Sequence, residues 1–186
     1  MKAEATKERI IQQTIRLIQE SNGLTETITV RKIAEKSNVG LGLINHYFGT
    51  KGNLIEECVQ RIIGGVIRSF RPSLTEGEDA IESTKRVASQ VMDFLMENPE
   101  ISKISILGDL RQPQERDNTM GTVHGFGNRL SAGEMQSSHK INSFLITAVL
   151  QVAFLRKDVL RQTLGVDFSD KAQRDVFIDD LIERFR

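Results

Sequence analysis

Residues 29–54 read TVRKIAEKSNVGLGLINHYFGTKGNL, and this stretch decides the fold. Val30, Ile33 and Ala34 recur at helical spacing, and Ser37-Asn38-Val39-Gly40 then interrupts the pattern. Asn38 or Gly40 supplies the backbone freedom a tight turn requires, while Val39 pins the turn to the core. A third short helix follows. With the stripe Ile11, Ile15 and Ile18 upstream, the reading is three closely spaced helices over roughly residues 6 to 22, 29 to 36 and 40 to 46. That is the size of a unit containing a helix-turn-helix.

The residues at the helix starts point to a polyanion. Thr29 is placed to cap the second helix, yet Arg31 and Lys32 sit in its first turn. Cations there oppose the helix dipole by about 0.3–1 kcal/mol each. A phosphate at that end removes the conflict by accepting both the free N–H groups and the side-chain charge. The arrangement recurs where Thr50 and Lys51 open a fourth helix, just after Tyr47-Phe48. Two anion sites flanking one short helix suit a clamp on a nucleic-acid backbone around a groove-reading element; two helices that merely tolerate solvated cations are the alternative. The short helix presents Leu41, Gly42, Leu43, Asn45 and His46. Gly42 costs about 1 kcal/mol relative to Ala inside a helix, which points to something approaching the backbone closely. Asn45 suits bases or phosphates, and His46 is either a phosphate donor or a satisfied helix residue.

Outward from this stretch the chain is helical throughout. Stripes recur at Ile55, Val59, Ile62 and Val66, at Ile81, Thr84, Ala88, Val91, Met92 and Leu95, and at Ile101, Ile104 and Leu107. They continue at Ile141, Phe144, Leu145, Ala148, Val149, Val152 and Leu155, and at Phe177, Leu181, Ile182 and Phe185. No segment alternates with period two. The expectation is an all-α protein, with a DNA-binding domain over residues 1–50 and a larger helical domain over 51–186. Asn22-Gly23, Asn98-Pro99, Leu164-Gly165 and Ser169-Asp170 carry stop and start chemistry. Arg111 to Gln136, with Gly121, Gly125, Gly127 and Gly133, reads as a long loop or a poorly formed helix.

Composition bounds what the chain does. It has 186 residues, 39% hydrophobic and 27% charged, with 25 Lys plus Arg against 25 Asp plus Glu. Disorder and a disulfide scaffold are both poor fits, and the single Cys58 reads as a small buried hydrophobe in a reducing, cytoplasmic setting. Residues 1–52 carry eight Lys or Arg against five Asp or Glu, leaving 17 against 20 afterwards. No signal-peptide core opens the chain, and the apolar stretch Ile141–Leu155 is short and interrupted by polar residues, so a buried helix and no membrane are expected.

The residues quoted above resemble the TetR family signature. In that family an Ile-Ala pair, a Val in the turn, a small residue and Gly, an aromatic-Phe pair, a Lys and a Leu recur at this spacing. Here they fall on Ile33, Ala34, Val39, Gly42, Tyr47, Phe48, Lys51 and Leu54. The chain departs from the pattern at Asn45, where the family usually has an aromatic that contacts phosphate, and at Gly40, where it has a small hydroxyl. The resemblance implies a homodimeric transcriptional regulator, usually a repressor, with an inducer pocket and a dimer interface in its C-terminal helices. The expected contacts with double-stranded DNA are Thr29, Arg31, Lys32, Gly40, Leu41, Gly42, Leu43, Asn45, His46, Tyr47, Thr50 and Lys51. A two-fold dimer should prefer a palindromic operator. Residues 137–157 and 170–186 are apolar enough to need partners, and two helices from each subunit make a four-helix interface.

A small-molecule inducer would most naturally meet Val91, Met92, Leu95, Ile104, Leu107, Phe126, Phe144 and Ala148, although each also reads as plain core. That lining suits an apolar or amphipathic molecule, with Lys103, Arg111, His124 and Arg129 available to an anionic head group. No enzyme, cofactor or metal is expected: His46, His124 and His139 are the only histidines, and no catalytic or metal-ligand spacing accompanies them. The rival reading is a helical protein-interaction module without DNA binding, which leaves the placement of Arg31, Lys32 and Lys51 unexplained.

Overall fold

A computed structural model describes residues 2–70, 79–130 and 137–186. Ten α-helices and one 3₁₀ turn account for the regular structure among the described residues, with no strand. They are α1 (Lys2–Glu20), the 3₁₀ turn (Thr25–Thr27), α2 (Val30–Ser37), α3 (Leu41–Phe48), α4 (Lys51–Ser69), α5 (Ala80–Glu97), α6 (Pro99–Arg111), α7 (Asn118–Leu130), α8 (Ser137–Leu155), α9 (Lys157–Leu164) and α10 (Lys171–Glu183). The chain forms two compact units: Met1–Arg68 with Asn98–Gln112, and Ser69–Glu97 with Pro113–Arg186. The boundary expected near residue 50 is one of role; the first compact unit runs past it through α4 and takes in α6.

In the first unit the helix ends obey local chemistry. Asn22 and Gly23 both take positive φ, at 50° and 81°, and the Gly23 N–H donates back to Ile18 O at 2.9 Å to close α1. Asn38, at φ 50°, ends α2, and the Val39 N–H reaches Ala34 O at 3.0 Å. Ile10, Ile11, Leu17 and Ile18 of α1, Ile33 of α2, Ile44 of α3 and Leu54, Cys58 and Val59 of α4 are buried. Burial pushes the Cys58 thiol up to about 12, so it stays protonated and packs as an apolar group.

Helix α6 corrects the expected stripe. It buries Ile101, Ser102, Ser105, Ile106, Gly108 and Asp109, while Ile104 is half-buried and Leu107 lies exposed. The face turned inward is small and polar because it bonds to α4. Gln60 Nε2 donates to Asp109 Oδ1 at 2.8 Å and to Ser105 O at 3.2 Å, and Ser105 Oγ donates back to Gln60 Oε1 at 3.1 Å. Arg111 pairs with Glu56. A Cβ on Gly108 would stand 2.7 Å from Glu56 Oε1 and 2.9 Å from Gln60 Nε2, so a side chain there would displace the tips of the two residues that bond α4 to α6.

The second unit holds three further corrections. Residues 118–130 form α7, where a loop or poor helix was expected; residues 131–136 of that stretch lie outside the described residues. Asp117 starts it, its Oδ1 accepting from the Met120 N–H at 2.8 Å, and Val123, Phe126, Gly127 and Leu130 form its buried stripe. The segment read as 137–157 ends as a helix at Leu155, and a separate short helix, α9, runs from Lys157 to the stop at Leu164-Gly165. Helices α8 and α10 bury faces shifted from those expected: Ser143, Ile146, Thr147, Leu150, Ala153 and Phe154 on α8, and on α10 Arg174 and Ile178 together with the expected Ile182. Ile141, Phe144, Leu145 and Val152 of the expected α8 stripe are 43–60% exposed. So within the single chain α8 is covered on one face, and its other face is left to the partner that its apolar content calls for. By length and composition it is apolar enough to cross a membrane, with 33% of that span buried within the chain.

Candidate nucleic-acid interface

Thr29 caps α2 as expected, its Oγ1 accepting from the Lys32 N–H at 3.2 Å. Such a cap stabilises a helix by about 1 kcal/mol. Thr50 does the same for α4, accepting from the Asn53 N–H at 3.1 Å. The Asn53 side-chain amide also donates to Phe48 O at 3.0 Å, which fixes the corner between α3 and α4. Arg31 and Lys32 are exposed in the first turn of α2, and their side chains make no hydrogen bond or ion pair among the described residues. Their charge is therefore open to an external anion. Elsewhere in the unit Arg61 is paired with both Glu8 and Glu57, and Arg111 with Glu56.

Lys51 has a role that spacing alone does not reveal. Its Nζ donates to Ile28 O at 2.7 Å and to Thr25 O at 3.2 Å. Two of its three ammonium protons thus tie the first residue of α4 to the chain just before α2. The lysine holds the starts of the two capped helices together and keeps one proton for a further acceptor. Backbone carbonyls have no sequence identity, so no sequence pattern announces these partners.

On α3, Ile44 and Phe48 face the core, and the Lys7 ammonium lies 5.5 Å from the Phe48 ring centre. Gly40, Leu41, Gly42, Asn45 and His46 are exposed, and Leu43 and Tyr47 are half-buried. His46 meets Tyr47 edge-on at 5.4 Å between ring centres. A Cβ added at Gly40 or Gly42 would meet nothing within 4 Å. Neither glycine is required by packing, so the bare backbone faces outward. The first unit thus carries on α2, α3, α4 and their cap residues all twelve residues expected to touch DNA, nine of them exposed.

The eight expected ligand residues are divided. Ile104 and Leu107 belong to the first unit; Val91, Met92, Leu95, Phe126, Phe144 and Ala148 belong to the second, on helices α5, α7 and α8 that pack on one another. Met92 and Phe126 are buried, Val91, Leu95 and Ala148 half-buried, and Leu107 and Phe144 exposed. A cleft of about 460 Å³ lies in the first unit at the start of α4, between Thr25, Glu26, Thr50, Lys51, Gly52, Asn53, Ile55, Glu56, Ile104 and Arg111. Ile104 alone of the eight reaches it. Among the described residues no group of three or more His, Cys, Asp or Glu is placed to hold a metal ion.

Residues 10–58 match the family model of bacterial regulatory proteins, tetR family. The chain carries a TetR-family N-terminal domain. An uncharacterised HTH-type transcriptional regulator of Haemophilus influenzae is 28% identical over 111 residues, 60% of this chain and 56% of that protein. The HTH-type transcriptional regulator BetI of Burkholderia thailandensis is 33% identical over 60 residues, 32% of this chain and 30% of BetI. The chain thus spans about half or less of the relatives it matches. A solved TetR-family transcriptional regulator from Haemophilus influenzae overlays 91% of this chain and 98% of its own at 20% identity, with a TM-score of 0.37. The TetR-family match coincides with the helices that carry the capped starts and the exposed face of α3.

Proposed function

We propose that this chain is a cytoplasmic TetR-family transcriptional regulator that binds a palindromic operator as a homodimer, represses, and is released by a small-molecule inducer. The observation that carries the proposal is the outer face of α3, bare at Gly42 and flanked by the unpaired cations Arg31 and Lys32. Helix α3 is the element that enters the major groove, and the starts of α2 and α4 grip the phosphates on either side. The apolar side chains Ile141, Phe144, Leu145 and Val152 of α8, with Val176 of α10, stand exposed in the single chain and support a two-fold interface through these helices.

A route for release follows the covalent chain. Helix α6 is joined at both ends to the second unit, through Glu97–Asn98 and Gln112–Pro113, and bonds to α4 through Asp109–Gln60 and Arg111–Glu56. Lys51 at the head of α4 holds the start of α2. An inducer of apolar or amphipathic character that favours one arrangement of α5, α7 and α8 acts on the reading helices by this path, within the limit of its differential affinity for the two arrangements.

Selection of bound sequences from a random duplex pool at two salt concentrations tests the proposal. A recovered palindrome with steep salt dependence is expected; no enrichment at low salt by folded, dimeric protein would instead favour a helical module that binds protein. Against the recovered operator, Lys32→Ala should reduce the slope of log affinity against log salt by about 0.9, the share of one phosphate contact. Its melting temperature should not move, since the side chain is exposed and the Thr29 cap uses only the backbone N–H. An unchanged slope would leave Lys32 a solvated cation.

A further inference from the structure

The exposed face of α3 consists of two ridges, each one helical turn apart: Leu41 with Asn45, and Gly42 with His46. Nothing in the chain accounts for the first ridge. The Asn45 side chain is exposed and makes no hydrogen bond among the described residues. Leu41 is 47% exposed at the first helical position. Both are weak choices for a solvated helix surface, one for its helix propensity and the other for its apolar area. Beside them Gly42 leaves the backbone open to close approach. Helix α3 also contains no Lys or Arg, so it lacks the forked cations that read guanine through O6 and N7.

Resting on the proposed operator binding, we infer that Asn45 reads an adenine in the major groove and that Leu41 packs on a thymine methyl beside it, giving the operator half-site an A·T core. A side-chain amide presents a donor and an acceptor side by side. Adenine offers the complement at N7 and N6, and thymine adds a methyl group that an exposed leucine covers. The two side chains lie about 6 Å apart along the helix axis, the reach of one to two base-pair steps. Sequence-independent grip comes from Arg31, Lys32 and the remaining Lys51 proton, so the base preference rests on this ridge.

The experiment is the duplex selection repeated with full-length Asn45→Ala and Leu41→Ala, followed by titration of the wild-type operator carrying 7-deazaadenine or deoxyuridine at the preferred positions. The expected result is an A·T preference of about 5- to 100-fold at one position per half-site that falls to near unity in Asn45→Ala. 7-Deazaadenine there should weaken the wild type and leave Asn45→Ala unaffected. Deoxyuridine, which lacks the methyl, should weaken the wild type and leave Leu41→Ala unaffected. Both variants lie at exposed positions, and matching melting curves verify their fold. Uniform weakening of Asn45→Ala on every sequence with a shallower salt slope makes Asn45 a phosphate contact and overturns the inference alone, as does a base preference unchanged by Asn45→Ala. Failure of the wild type to bind any duplex overturns both this inference and the proposed function.

Discussion

Replacing Gly42 with Phe is expected to abolish operator recognition while leaving the protein as stable as before. The two halves of that expectation come from the same observation. A Cβ at position 42 would meet nothing within 4 Å, and its φ lies in the ordinary helical range, so a side chain there collides with nothing in the chain. Removing a helical glycine also relieves a backbone cost of a few tenths of a kcal/mol to about 1 kcal/mol. The melting temperature should therefore hold or rise. In the groove the outcome is opposite. A helix of about 10–12 Å diameter already fills a major groove about 12 Å wide. An aromatic ring on its leading face holds Asn45 and Leu41 several ångströms from the base edges. Affinity for the operator should fall by ~10³-fold, towards the non-specific level, while weak salt-sensitive binding to any duplex persists through Arg31 and Lys32. Gly42→Ala, with one methyl, should cost far less. Fluorescence anisotropy on operator and scrambled duplexes beside a thermal melt checks both halves. Normal operator binding by the Phe variant would put the groove against another face of α3.

What the sequence made legible is what depends on neighbours along the chain. The turn at Ser37–Gly40, the caps at Thr29 and Thr50 and the left-handed Asn22 and Asn38 are fixed by residues within five positions, and each is where the pattern placed it. The faces of α6, α8 and α10 were not legible in the same way. Apolar count finds a helix without saying which side is covered when the core-facing side is small or polar. On α6 the inward residues include Ser105 and Asp109, which bond to Gln60, and Gly108, which lies close to Glu56, on a helix more than forty residues away in the sequence. On α8 apolar residues lie all round, so the exposed stripe looked as buried as its opposite. In α7 three glycines masked a stripe at 123, 126, 127 and 130 whose spacing was helical all along. At the candidate interface the exposed side chains of α3 follow from the sequence pattern alone because a surface face has no partner to depend on, whereas the tether from Lys51 to two backbone carbonyls was hidden.

Arg174→Met is expected to destabilise the second unit strongly. Arg174 shares the inward stripe of α10 with Ile178 and Ile182 and is 8% exposed. Its Nη2 donates to Asp93 Oδ1 on α5 at 2.6 Å, and its Nη1 donates to Phe168 O at 2.7 Å and Ser169 O at 3.3 Å. Met keeps the apolar stem but leaves Asp93 and the Phe168 carbonyl short of a donor. Removing one partner of a buried pair costs about 3–5 kcal/mol, and Asp93, whose side chain is 28% exposed, is only partly buried. Lys171 Nζ, 2.8 Å from Asp93 Oδ2, retains part of the compensation, which puts the expected loss near the lower figure. For a chain of this size that is a fall of roughly 6–12 °C in melting temperature. The buried Nε of Arg174, which has no partner, already subtracts from what the guanidinium contributes. A loss below about 1 kcal/mol would mean that this cost and the desolvation of the pair nearly cancel its bonds. The acid limb gives a second readout. Burial raises the Asp93 carboxyl, but the hydrogen bonds from Lys171 and then Arg174 outweigh it and hold the group below the usual carboxylate value. A depressed folded pKa contributes stability that is whole above the unfolded value, near 3.8, and is lost as pH falls through the folded one. Urea denaturation at pH 7 and pH 3 should therefore show the wild type losing more stability on acidification than Arg174→Met, in which that contribution is already reduced. If both lose the same amount, Lys171 alone holds Asp93 ionised and Arg174 serves the carbonyls at the start of α10.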